Sequence, residues 1–211
     1  MKWLSPAVLL MLASCTLGPA PREPVSVYDL GPPRAYARSE PRIGPSILVQ
    51  DVGTPSWLDA TAMLYRLEYR DAGRQYVYAN NRWASSPGAL IAQKLRGRLA
   101  AASDAGIVAP LDNARADYLL RIDLDDFSQV FAAAETSRAV VVARATLVDA
   151  SRRTLTSQKE FAIEKAANGA DAQAGVKALA AASEELVEGI TAWVASTAKL
   201  AAKKGPDAAS D

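Results

Sequence analysis

Residues 62–80 read Ala62-Met63-Leu64-Tyr65-Arg66-Leu67-Glu68-Tyr69-Arg70-Asp71-Ala72-Gly73-Arg74-Gln75-Tyr76-Val77-Tyr78-Ala79-Asn80, and this stretch decides the fold. Met63, Tyr65, Leu67 and Tyr69 alternate with Arg66, Glu68 and Arg70. A period of two is the repeat of a strand with one covered face; an amphipathic helix would bring its apolar positions round about every 3.6 residues. Asp71-Ala72-Gly73-Arg74 supplies turn residues, and Gln75 to Asn80 returns through Tyr76 and Tyr78. A hairpin is expected here, and one hairpin needs more strands or a helix to bury its face.

Both are found on either side. Ser86-Pro87 has the form of a helix start, the serine hydroxyl capping free amides and proline occupying the first turn, where its missing N–H does no harm. Ile91, Leu95 and Leu99 follow at four-residue spacing, and Gly106 lies just past the expected end. Three further strands are expected at Tyr118–Leu124, Val140–Val148 and Leu155–Glu164. In the first, Tyr118, Leu120, Ile122 and Leu124 oppose Arg121, Asp123 and Asp125. The link Ala150-Ser151-Arg152-Arg153 is too short for a crossover helix, so an antiparallel meander is expected. Upstream, Ile47 to Val52 is a β-branched run ended by Gly53 and Pro55, and before it only Val25 to Leu30 reads as a strand. From near Asp171, Val176, Leu179, Ser183, Leu186, Val187, Ile190, Trp193, Val194 and Thr197 mark one face of a long helix. The pattern predicts an α+β fold, a mostly antiparallel sheet packed by two main helices, in a single domain over residues 47–202.

The ends of the chain read differently. Lys2 and the apolar run Leu4–Leu12 form an export signal over residues 1–14, too short for a permanent membrane span. Leu12-Ala13-Ser14-Cys15 has the form of a bacterial lipobox, in which the thiol of Cys15 accepts diacylglycerol. Two or more acyl chains, at about 0.8 kcal/mol per buried methylene, give stable anchoring. Thr16 rather than Asp follows the cysteine, which points to the outer membrane. Residues 15–46 carry seven prolines and read as a lipidated, extended tether; residues 203–211 read as a disordered tail.

Composition narrows the chemistry. The chain has no histidine and Cys15 is its one cysteine, so the usual zinc ligands, disulfides and Ser–His or Cys–His nucleophiles are absent. Neither phosphate-binding glycine pattern occurs, and a net charge of +1 offers no face for nucleic acid. Asp123, Asp125 and Asp126 are the one tight carboxylate group, and a hydrated strand face is the simpler account of them than a cation site or an acid–base pair. Tyr65, Tyr69, Tyr76, Tyr78 and Trp83 concentrate aromatics in the hairpin and its exit. Tyr65 and Trp83 are expected in the core, while Tyr76 and Tyr78 divide evenly between core and a surface for lipid or a partner. No catalytic residue, metal or cofactor is expected beyond the lipid on Cys15.

Tyr28-Asp29-Leu30-Gly31-Pro32, Met63-Leu64-Tyr65-Arg66, Tyr76 through Ala84 with Pro87, and Ala116-Asp117-Tyr118-Leu119-Leu120 with Phe127 closing its strand resemble the ABC-type transport auxiliary lipoprotein family, the PqiC-like group. The segment from Ala143 to Asp149 and the last helix with Trp193 continue the likeness. The resemblance implies a non-catalytic lipoprotein on the periplasmic face of the outer membrane. It implies partnership with an ABC permease, an ATPase and a periplasmic protein with an MCE domain, moving lipid between membranes. A structural or assembly lipoprotein that handles no lipid is the alternative.

Overall fold

The computed structural model describes residues 24–32, 36–38, 40 and 42–203, apart from the side chains of 200, 202 and 203. The signal peptide, the lipobox and the tail beyond Lys203 lie outside the described residues.

The sequence hairpin is present as β3 (Ala62–Leu67) and β4 (Gln75–Trp83), preceded by β1 (Ser26–Tyr28) and β2 (Ile47–Val49). Its first strand stops at Leu67 because the N–H groups of Arg70 and Asp71 both donate to the Leu67 carbonyl, folding residues 68–71 into a turn. Tyr69 therefore leaves the strand pattern and is 43% exposed. Helix α1 (Pro87–Ala102) begins at the expected proline, but the Ser86 side chain makes no capping bond. At its other end the Ser103 N–H donates to the Leu99 carbonyl, and Ser103 Oγ accepts the N–H of Gly106, whose φ of 99° suits only glycine at that turn. Then follow β5 (Ile107–Val108), a 3-10 turn at Pro110–Asp112, and three long strands: β6 (Tyr118–Ala133), β7 (Thr136–Asp149) and β8 (Thr154–Ala166). Helix α2 (Ala172–Lys203) closes the described chain. Asp171 caps it, its Oδ1 accepting the Ala174 N–H at 2.7 Å.

The strands make one eight-stranded sheet, mostly antiparallel as expected but mixed rather than purely so. The expected meander is there: β6–β7 and β7–β8 are long antiparallel pairs. The parallel contacts are short, β1 on β4, β3 on β6, and β2 on both β5 and β6. They arise because β6 is far longer than its edge partners, so β2 pairs with its beginning and β3 with its end. Phe127 does not close β6. A bulge between Leu124 and Asp126 makes Asp125 the extra residue and lets the strand run on to Ala133.

Both helices cover one face. Ile47, Val49, Leu120, Ile122, Leu124, Val141 and Leu147 point into a core completed by Ile91, Leu95 and Leu99 of α1 and Leu179, Leu186, Val187, Ile190 and Val194 of α2. Trp193 and Thr197 stand at its margin, only half-buried. Lys94–Glu184 at 3.2 Å and Arg98–Glu188 at 2.8 Å advance four residues on each helix, so α1 and α2 run side by side in the same sense. The folded body also starts before residue 47: Leu30 and Ile43 are core residues, and Arg42 donates to the Ala101 and Ser103 carbonyls at the end of α1. Proline content alone hid these isolated anchor points.

Candidate functional site

The aromatic hairpin is the densest cluster of candidate residues. Tyr65 and Tyr76 face each other across β3 and β4 and stack with ring centroids 5.2 Å apart. Tyr78 leans on Tyr65 at 4.6 Å, and Phe131 of β6 meets it edge-on at 5.9 Å. The guanidinium of Arg74 sits 4.8 Å from the Tyr76 ring centre, a cation–π contact at the solvent rim. Trp83 is buried, 2% exposed, and packs edge-on to Phe127 at 5.4 Å.

Beneath the rings lies a polar chain that sequence reading missed. The Tyr78 hydroxyl donates to Gln129 Oε1 at 2.9 Å. Gln129 Nε2 donates to Ser137 Oγ at 2.8 Å and to the Asp171 carbonyl at 3.2 Å, and Ser137 Oγ donates to the Gly169 carbonyl at 3.1 Å. Gln129 is fully buried, so these bonds replace the water it lost. Burial raises the Tyr78 phenol well above its ordinary range, with the neighbouring Tyr65 and Asp171 adding to the effect, so it stays protonated as a donor. The chain ties β4, β6 and β7 to the start of α2. Gly175 belongs to it too: a Cβ there would stand 2.0 Å from Gln129 Oε1, which only a residue without one avoids. The polar pair Ser128-Gln129 inside the apolar run from Phe127 to Phe131 was the available signal.

Tyr78 is therefore committed to the scaffold through its hydroxyl, while Tyr76, equally half-buried, takes no part in that chain. Each aspartate of the acidic strand is likewise engaged. Asp123 accepts from Arg121 Nη2 at 2.8 Å, Asp125 lies 3.7 Å from Arg144, and Asp126 accepts from Ser128 Oγ at 2.7 Å with Arg66 at 3.6 Å. The bulge leaves Asp125 unpaired in the ladder, yet it still reaches Arg144, the register partner of Asp123, on the solvent face. Among the described residues no group of three His, Cys, Asp or Glu side chains is placed to hold a metal ion. None of the described helices is long and apolar enough to cross a membrane. Cys15, Leu12, Ala13 and Ser14 lie outside the described residues.

The model of the family described as "ABC-type transport auxiliary lipoprotein component" matches residues 28–191. That span runs from the end of β1 into α2 and takes in the hairpin, the polar chain and the whole meander. Among solved structures, a DUF330 protein from Xanthomonas campestris superposes with a TM-score of 0.70 at 17% identity, over 86% of this chain and 98% of that one. The crystal structure of an uncharacterized protein gives 0.63 at 18% identity, over 82% and 99%. At such identities the likeness is one of fold. A search of the curated proteins found no match.

Proposed function

The chain belongs to the ABC-type transport auxiliary lipoprotein component family, and from that premise we propose that it works without catalysis as a lipid-anchored component of an ABC/MCE-type intermembrane lipid transport system. Acylated at Cys15, it sits on the periplasmic face of the outer membrane and docks the conduit formed by an MCE-domain protein, with a permease and an ATPase supplying the energy. The family match over residues 28–191 carries this reading. The side chains best suited to chemistry, Tyr78 and the three aspartates, being spent on hydrogen bonds and ion pairs agrees with it. Tyr76, partly exposed and outside the polar chain, is the aromatic offered to lipid or partner, and Tyr65 supports it by stacking.

Crosslinking in cells tests the partnership: capture of an MCE-domain protein or a sibling transporter subunit is expected, and its consistent absence refutes the docking role. Lipid in the purified complex, identified by mass spectrometry, separates lipid handling from a structural or assembly role, for which only protein partners would be recovered. Labelled palmitate should enter the wild-type chain and not Cys15→Ser.

A further inference from the structure

The face of the sheet away from the helices ends in a row the sequence does not reveal. Val108 of β5 pairs with Leu48 of β2, Leu48 with Leu119 of β6, Leu119 with Val148 of β7, and Val148 with Leu155 of β8. Directly paired residues point to the same side of a sheet, so five aliphatic side chains from five strands lie abreast on the uncovered face. None of the five is buried, and Leu155 is 63% exposed. Just beyond Val108, the 3-10 turn presents Leu111 at 92% exposure. Farther along the same face the pattern changes to ion pairs, Arg121–Asp123, Arg66–Asp126 and Arg138–Glu68, so the bare aliphatic character belongs to this one end.

The row borders an open hollow of about 1170 Å³ lined by Leu48, Tyr118, Arg115 and Arg153, among others. Neither arginine has an ion-pair or hydrogen-bond partner among the described residues. The acids of the same end are turned onto donors of the fold: Asp112 accepts the Ala109 N–H, Asp117 the Ser46 N–H and hydroxyl, and Asp149 the N–H groups of Ser151 and Arg152. Exposed leucines beside unpaired guanidiniums match a surface that is apolar within and anionic at its headgroups. We propose that this end of the sheet, the Val108–Leu155 row with Leu111, Arg115 and Arg153, rests on an anionic phospholipid surface.

The chain before the described residues favours that occupant over a protein. Only eight residues separate Pro24 from Cys15, nine Cα steps with a reach of at most ~30 Å. An acylated Cys15 would keep the domain beside the bilayer, where a contact too weak to recruit a free protein is still populated. That step rests on the lipid anchor of the proposed function; the row itself does not.

The full acylated chain, reconstituted in vesicles of phosphatidylethanolamine with phosphatidylglycerol or of phosphatidylcholine alone, tests the contact by amide hydrogen exchange. Flotation with the vesicles reads the anchor, and exchange reads this face, so the two fail separately. Segments 107–117 and 150–156 should exchange about fivefold more slowly on the anionic vesicles, an effect that shrinks with salt. Arg115→Glu with Arg153→Glu, and separately Leu111→Ser with Leu155→Ser, should abolish the slowing; all four side chains are exposed and the fold does not need them. Equal exchange on the two vesicles, indifference to both variant pairs, or slowing that requires an added protein partner would overturn the proposal, the last by giving this face to a protein.

Discussion

On the helix side of β7, Ala139, Val141, Ala143, Ala145 and Leu147 are fully buried, while on the opposite side Val140, Val142, Arg144, Thr146 and Val148 all keep contact with solvent. The same strand thus builds a core with one set of side chains and a surface with the other. Three of the five inward residues are alanines, small enough for α2 to lie close against the sheet, and the outward set is crossed by ion pairs such as Arg144–Asp125. The contrast teaches that apolar content does not locate a face. Val140, Val142 and Val148 are outside and Ala143 is inside, and only strand register and helix placement separate them. Stability should therefore reside on the covered side of the meander, and the proposed membrane contact on the other.

The largest effect that would sharpen this contrast is expected at Trp83. Trp83→Ala removes a buried ring from its contact with Phe127 and should destabilise the domain by about 3–5 kcal/mol in denaturant unfolding. Gly175→Ala comes next. Its methyl group must displace the Gln129 amide, so a loss of roughly 2–3 kcal/mol is expected, with Gln129→Ala in the same chain restoring part of it by removing the clash. Full additivity of the two changes would break the link between Gly175 and the polar chain. Tyr78→Phe leaves Gln129 Oε1 without its donor and should cost about 1–2 kcal/mol, while Tyr76→Phe, whose hydroxyl has no such role, should be nearly neutral.

On the uncovered side the effects should be small. Leu111→Ser and Leu155→Ser should each change unfolding free energy by less than about 0.5 kcal/mol, because neither side chain is in the core. A large loss at either would break the division between the faces. The smallest effect concerns acid. The Arg138 guanidinium bonded to Glu68 holds that carboxyl below its usual value of 4.5. A depressed carboxyl stabilises the fold above its unfolded pKa, and that contribution is lost as pH falls through the folded value. Arg138→Met should therefore give a slightly shallower fall of Tm between about pH 5 and pH 3, kept small because Glu68 is open to solvent.

The hairpin, the meander and both helices could be read from the chain because each carries its period over many residues. The short parallel contacts could not. β1 and β2 lie inside the expected runs Val25–Leu30 and Ile47–Val52, but the two residues of β5 carry no period, and which strand each of the three lies beside is set by the tertiary fold. The bulge at Asp125 was equally hidden, since alternation before and after it looks regular when each side is read alone. Among the aromatics, Trp83 is in the core as expected, but the division of work between Tyr76 and Tyr78 turns on Gln129, a residue 51 positions from Tyr78.

By itself the sequence determined the long strands and both helices, because side-chain periodicity is a local property. It also determined which reactive groups exist at all, since a chain without histidine and with a single cysteine has few to place. Only the tertiary structure decided what those groups do. Gln129 meets Tyr78, Gly175 leaves room for Gln129, and five aliphatic residues fall abreast on an open face, because hydrogen-bond register between distant strands set those distances and no local pattern encodes it.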